Sequence, residues 1–277
     1  MGRERDGLSC CISFDPVAED YDATRYLPPE IQERAARLLL EVAGLAPGQV
    51  WLDAGVGTGR FALPLAQLGV PVVGADIALG MMAQLHAKRA AVEKTGPPLP
   101  LRTARGDLRR LPLASGAFGA VLMVHILHLI VEWQSVLAEV RRVLAPGGAL
   151  LLASEVGERR WMPTYDHYCA LARERGVLSE HPGMRKIEEA LAFLQAGGAQ
   201  IRRVETGIRW RVETPVGVTL ARLRRRSWSN LWPIPDAVHA EIMAETEAWA
   251  RRTFDSLEAL ETGETSFTVQ EVRWPLA

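Results

Sequence analysis

The stretch Val50-Trp51-Leu52-Asp53-Ala54-Gly55-Val56-Gly57-Thr58-Gly59-Arg60-Phe61-Ala62-Leu63 constrains the fold more than any other part of the chain. A short apolar run holding one carboxylate leads into three glycines at alternate positions, and a helical pattern follows. The run reads as a strand, a tight turn and a helix. Glycines at that junction permit positive φ and let another molecule approach the backbone with no Cβ in the way. The start of the following helix offers unpaired N–H groups and a partial positive charge. Such a segment is a cradle for a small molecule.

The alternation continues through the first half. Ile31, Ala35, Leu38, Leu39 and Val42 recur at helical spacing, and Gly44 supplies a stop. Strands are expected at residues 70–75, 101–104, 118–124 and 149–154, with helices at 79–92 and 130–144. Continuously apolar strands alternating with amphipathic helices call for a parallel sheet covered on both faces. Beyond Glu155 the pattern loosens. It gives helices at 163–175 and 184–196, a strand at 201–210, a mostly helical stretch at 216–260 broken at Trp232-Pro233-Ile234-Pro235-Asp236, and a last strand at 266–274. Residues 1–13 are polar and unpatterned.

Composition narrows the function classes. The 277 residues are 48% hydrophobic and 23% charged with a formal net charge of -1, so no global field draws the chain to nucleic acid or to an anionic membrane. Lysines occur at 88, 94 and 186 alone, and arginine carries the remaining positive charge. The cluster Arg222-x-Arg224-Arg225-Arg226 near Trp228 and Trp232 reads as a solvated helix face, against phosphate contacts with RNA or recognition of an anionic substrate. Cys10, Cys11 and Cys169 form neither a disulfide framework nor a metal-ligand set. With no signal-peptide core, lipidation signal or membrane-length apolar run, a cytoplasmic protein is expected.

Three readings of the glycine stretch separate on chemistry. A phosphate-binding P-loop needs Lys-Ser or Lys-Thr after its last glycine, and Arg60-Phe61 stands there. A dinucleotide fingerprint is satisfied by Gly57-x-Gly59-x-x-Ala62, with Asp76 near the expected acidic position, so an NAD-dependent oxidoreductase stays open. Asp53 favours a third reading. A carboxylate two residues ahead of Gly55 repels a pyrophosphate and attracts an ammonium or sulfonium. S-adenosylmethionine carries both cations and a ribose diol. Asp76 suits the ribose hydroxyls, and Asp107 suits the adenine amino group with Leu108 against the ring. Three carboxylates ending three successive strands line one crevice at the carboxyl edge of an open sheet.

The run 50–63, Gly74-Ala75-Asp76-Ile77-Ala78-x-x-Met81-Met82, Gly106-Asp107-Leu108-x-x-Leu111-Pro112-Leu113-x-x-Gly116-Ala117-Phe118 and Glu139-Val140-x-Arg142-Val143-Leu144-Ala145-Pro146-Gly147-Gly148 resemble the class I S-adenosylmethionine-dependent methyltransferase family. The similarity is to the bacterial branch with ubiquinone- and menaquinone-biosynthesis and small-molecule enzymes, and it covers residues 14–154. It implies an α/β, Rossmann-like, seven-stranded, mostly parallel sheet whose last strand is antiparallel, with helices on both faces and a helical cap. It implies that Val124 and His125 touch the methionine end of the cofactor, and that Tyr21 and Arg25 fold over its carboxylate.

The cofactor-binding set expected is Tyr21, Arg25, Asp53, Gly55, Gly57, Gly59, Asp76, Ile77, Met81, Asp107, Leu108, Val124 and His125, with no metal. The expected parts are an N-terminal capping segment at 1–29, a cofactor-binding core at 30–154, and a C-terminal part at 155–277 with a helical substrate-cap insertion at about 216–260. The reaction implied is in-line methyl transfer to a small-molecule acceptor, with no nucleic-acid or membrane partner. Alternatives are the oxidoreductase, a non-catalytic S-adenosylmethionine-binding module and an RNA methyltransferase. If the acceptor must lose a proton, His125, His128, Tyr165 and His167 are the available bases; none is singled out as catalytic. Trp161, Trp210, Trp228 and Trp232 are candidates for aromatic walls of an acceptor site.

Overall fold

The computed structural model describes residues 13–157, 162–179 and 181–276. Residues 1–12, Cys10 and Cys11 among them, and Trp161 lie outside the described residues. In chain order the first elements are α1 (Tyr21–Thr24), α2 (Pro29–Ala43), β1 (Trp51–Ala54), α3 (Ala62–Gln67), β2 (Val72–Asp76), α4 (Leu79–Glu93), β3 (Leu101–Arg105) and β4 (Phe118–Val124). There follow α5 (Trp133–Val143), β5 (Leu144–Gly157), α6 (Pro163–Glu174), α7 (Ile187–Ala196), β6 (Gln200–Val204), β7 (Arg209–Pro215), α8 (Val216–Arg224), α9 (Asp236–Thr253) and β8 (Leu260–Arg273).

The chain divides into two compact units, one of Met1–Ser154, Pro182–Ile208 and Phe267–Ala277, the other of Glu155–His181 and Arg209–Ser266. The sheet of the first runs β3-β2-β1-β4-β5-β8-β6. Neighbours from β3 to β5 are parallel, and β8 is antiparallel to β6, with Ile201 opposite Val272 and Val204 opposite Val269. β1 is central and fully buried, which explains its continuous apolar character. α2 turns Ile31, Ala35, Leu39 and Val42 inward, and α5 turns Val136, Leu137, Val140 and Val143 inward. Each buried aliphatic side chain contributes about 1.5–3 kcal/mol relative to exposure.

The sheet has the expected mostly parallel form with an antiparallel strand, and β7 is added to it, pairing with the first half of β8 from Arg209–Ser266 to Pro215–Leu260. The strand expected at 201–210 is therefore two strands. Gly207, at φ 60, and the Thr206 hydroxyl donating to the Phe267 carbonyl set the bend between them.

The second unit has its own core. Tyr168, Val216, Leu220, Leu223, Trp228, Leu231, Ile234 and Ile242 are buried together. Glu261, 2% exposed, accepts from the Thr164 N–H at 2.6 Å and from the Thr219 hydroxyl, so this buried acid ties β8 to α6 and α8. The Tyr165 ring lies 4.6 Å from that of Trp228, and the His167 ring stacks 4.3 Å from that of Trp249. The Tyr168 hydroxyl and His239 Nδ1 are 2.5 Å apart. Trp210 and Trp228 are buried, and the Trp232 indole donates to the Arg226 carbonyl at 2.7 Å. Arg224 pairs with Glu247 and Arg226 with Asp236. No helix among the described residues is long and apolar enough to cross a membrane.

Candidate functional site

The loops that follow β1, β2, β3 and β4 converge in the first unit. Gly55 and Gly57 after β1, Asp76 to Ala78 after β2, Gly106 to Leu108 after β3, and Val124 to Ile126 after β4 line a cleft of about 660 Å³. Phe14 and Tyr21 of the N-terminal segment and Leu129 and Ile130 complete its walls. A second cleft of about 360 Å³ adjoins it, lined by Asp53, Thr58, Arg60 and Phe61. Both clefts are bounded by Tyr21, Gly55, Gly57, Val124 and His125.

The glycine turn has the geometry its residues require. Gly57 has φ 51, and a Cβ there would meet Met81 Cε at 3.2 Å. Gly59 has φ 80, and its Cβ would lie 2.9 Å from Leu85 Cδ1, so this glycine serves close packing of the loop on α4 and does not line either cleft. The Gly57 N–H donates to Asp76 Oδ2 at 2.8 Å and the Ala78 N–H to Asp76 Oδ1 at 2.9 Å. Asp76 thereby fastens the first loop to the second. The helix after the turn, α3, has six residues, and the Ala62 N–H at its start is hydrogen-bonded to Asp53. That amide serves the carboxylate and is not an open donor for a ligand.

Carboxylates line both clefts, Asp76 and Asp107 the larger and Asp53 the smaller. Asp53 is 4% exposed, and burial together with the nearby Asp76 carboxylate pushes its pKa up to about 7. Burial also raises that of Asp76 against three backbone N–H donors. Asp107 is held below the usual carboxylate range by Arg109, which donates Nη2 to Oδ2 at 2.6 Å and Nε to both oxygens at 3.1 Å. Arg109 also pairs with Glu132. The Asp107 carboxylate expected to face adenine is therefore engaged by its own loop. His125, half-buried, is pushed down to about 4 by desolvation and by the Arg25 and Arg60 guanidiniums.

Of the residues expected to hold the cofactor, the larger cleft brings together Tyr21, Gly55, Gly57, Asp76, Ile77, Met81, Asp107, Leu108, Val124 and His125. The smaller adds Asp53. Arg25 lines neither cleft, although its charge reaches His125. Phe14, Ile126, Leu129, Ile130, Thr58 and Arg60 are lining residues the sequence reading missed. The apolar run after β4 signals Ile126 to Ile130 as buried, with nothing in its pattern to mark a cleft wall.

The family model described as "Methyltransferase domain" matches residues 52–152. The demethylmenaquinone methyltransferase of Renibacterium salmoninarum is 36% identical over 141 residues, 50% of this chain and 56% of that protein. The chain thus spans little more than half the length of that relative. The demethylmenaquinone methyltransferase of Mycolicibacterium paratuberculosis is 34% identical over 174 residues, 61% of this chain and 71% of that protein. The YcgJ protein of Bacillus subtilis superposes with a TM-score of 0.56 at 18% identity, covering 87% of this chain and 98% of the other, which is a likeness of fold. With the glycine loop, the buried Asp53 and the fold on which they stand, these matches place the chain in the class I S-adenosylmethionine-dependent methyltransferase family.

Proposed function

We propose that the chain transfers the S-methyl group of S-adenosylmethionine to a small-molecule acceptor by in-line displacement. The observation that carries this reading is the buried Asp53, standing in a cleft that adjoins the one lined by Asp76. The Asp76 carboxylate raises the pKa of Asp53, and a cation between the two relieves that repulsion. A dinucleotide pyrophosphate would add to it.

The residues fit the cofactor. Gly55 and Gly57 leave backbone bare along the larger cleft, Asp76 retains acceptor capacity for a diol, and Leu108 and Met81 give apolar faces for a purine. When bound, the sulfonium supplies a methyl group already activated toward nucleophiles. The chain then has to align and desolvate, and alignment of this kind is worth on the order of 7–11 kcal/mol in favourable cases. The reading includes a cytoplasmic enzyme without a nucleic-acid partner, and the pairing of Arg224 with Glu247 and of Arg226 with Asp236 supports it by engaging these two guanidiniums within the protein.

Calorimetric titration at neutral pH with S-adenosylmethionine, S-adenosylhomocysteine and NAD tests the cofactor. Both adenosyl ligands should bind, and binding of NAD alone overturns the reading. Methyl-labelled S-adenosylmethionine incubated with a small-metabolite extract and, separately, with total RNA tests the acceptor. Label should pass to low-mass product, and transfer to RNA alone overturns the acceptor class.

A further inference from the structure

Leu108 and Met81, the apolar faces offered to a purine, share the larger cleft with Leu129, Ile130 and the Asp107 carboxylate. A carboxylate accepts from an amino group well, so Asp107 is the side chain from which recognition of a purine 6-amino group is expected. Its acceptor capacity is committed elsewhere. Oδ1 accepts the Arg109 backbone N–H at 2.9 Å and Nε at 3.1 Å, and Oδ2 accepts Nε at 3.1 Å and Nη2 at 2.6 Å. Four contacts therefore reach the two oxygens, and a carboxylate offers about four lone-pair sites.

The arginine is itself held at its far end. Glu132 is the N-cap residue of α5, yet its carboxylate makes no cap to that helix and accepts from Arg109 Nη1 instead. The guanidinium thus spans from the turn after β3 to the start of α5, and the Arg110 N–H closes that turn on the Asp107 carbonyl at 2.9 Å. Leu129 and Ile130, just ahead of Glu132, are walls of the same cleft. An incoming amino group that claimed Asp107 would have to displace one prong of a forked ion pair anchored by a second carboxylate. It brings a single hydrogen bond and no charge in exchange.

We propose that Arg109 takes the purine amino group out of the chain's recognition of its cofactor. Asp107 serves the turn after β3, and the base is held by apolar contact with Leu108 and Met81 whether or not it carries the 6-amino group. Arg109 is on this account a specificity-determining residue, and the ligands admitted are purine nucleosides joined to methionine or homocysteine, adenosine being one of them. The inference rests on the methyltransferase reading above and goes beyond it by widening the class of cofactor.

Calorimetric titration of the full chain with S-adenosylhomocysteine, and with its analogue bearing hydrogen in place of the 6-amino group, tests it. The analogue keeps the purine ring, its N1 acceptor and the ribose, so the amino group is the contact removed. The two dissociation constants should agree within about threefold, whereas a carboxylate acceptor left waiting for the amino group would cost the analogue about tenfold or more. A larger than threefold preference of the wild-type chain for S-adenosylhomocysteine overturns the inference and leaves the methyltransferase reading standing. Arg109→Met, which releases the Asp107 carboxylate, should create the preference that the wild-type chain lacks, at about tenfold or more. A folded variant whose preference is no larger than that of the wild type also overturns the inference, and the wild-type comparison decides whether or not the variant folds. Binding of neither ligand by the wild-type chain overturns both readings.

Discussion

Asp53 and His125 titrate in opposite senses, and their effects on stability oppose each other over most of the acid range. Asp53 keeps its proton in the fold up to about pH 7, whereas an ordinary aspartate releases it near 3.8. The folded state therefore binds more protons than the unfolded between about pH 4 and 7, and stability falls as pH rises through that window. His125 is driven down to about 4 from an ordinary 6.5, so here the unfolded state binds more protons and stability rises between about pH 4 and 6.5. Each effect is on the order of 3–4 kcal/mol at most. The wild-type chain should thus show a shallow dependence from pH 4 to 6.5 and lose stability between 6.5 and 7. Asp53→Asn should leave a rise with pH, and His125→Asn a fall. Urea unfolding midpoints of the three proteins from pH 4 to 8 check this, and slopes of the same sign in both variants would refute it. His125→Val, placing a β-branched residue at φ 50, should cost about 1–3 kcal/mol at any pH in the same assay.

At the scale of elements, the N-terminal segment is fastened to both structures it adjoins. Asp22 accepts from the Thr58 hydroxyl at 2.5 Å and from Lys88 at 2.6 Å, joining the glycine loop to α4, and Asp15 accepts from the Gly80 N–H at 2.6 Å near the start of α4. Ala18 packs with Ala78 and Met81, and the Phe14 and Tyr21 rings meet edge to face at 5.6 Å. Because Phe14 and Tyr21 are cleft walls, loosening this segment should let ligand leave faster. Asp22→Ala should raise the dissociation rate of S-adenosylhomocysteine by about three- to tenfold, as expected for partly exposed charge-assisted bonds. Stopped-flow displacement measures it, and an unchanged rate would show that the segment does not hold the ligand.

What the sequence reveals also sorts by element. β1, β2 and β4 announce themselves because buried parallel strands are apolar on both faces, and Asp53 and Asp76 stand out as carboxylates where those runs end. Asp107 stands out as the carboxylate in the turn after β3, but its capture by Arg109 two residues on depends on side-chain geometry that spacing does not encode. β6 and β7 merge in the sequence because Arg202, Arg203, Arg209 and Arg211 continue one exposed polar pattern through the bend at Gly207. Trp210, Trp228 and Trp232 are candidates for aromatic walls in the sequence; in the structure Trp210 and Trp228 are buried, Trp228 beside Tyr165, and the Trp232 indole donates to the Arg226 carbonyl.

For the whole molecule the decisive feature is β8, whose first half pairs with β7 and whose second half pairs with β6. Val269 and Val272 are fully buried, and Phe267 stacks on Phe61 with ring centroids 5.6 Å apart. A chain ended after Ser266 should lose the first unit's sheet beyond β5 and expose an apolar edge, Ala149 to Ala153, that is otherwise buried. Size-exclusion chromatography should find it aggregated, and a monodisperse, heat-cooperative product would contradict that role for β8.

The place of β8 between β5 and β6 also imposes an order on synthesis. On the ribosome β1 to β5 emerge first and have one another to pair with, while β6 emerges with its partner still unmade. Throughout the translation of residues 209–266 the growing protein carries an open sheet edge. The interval is several seconds at ordinary elongation rates of about 5–20 residues per second. Folding of this chain therefore depends on a late strand entering between two earlier ones, and chaperone dependence should be set by the length of that delay.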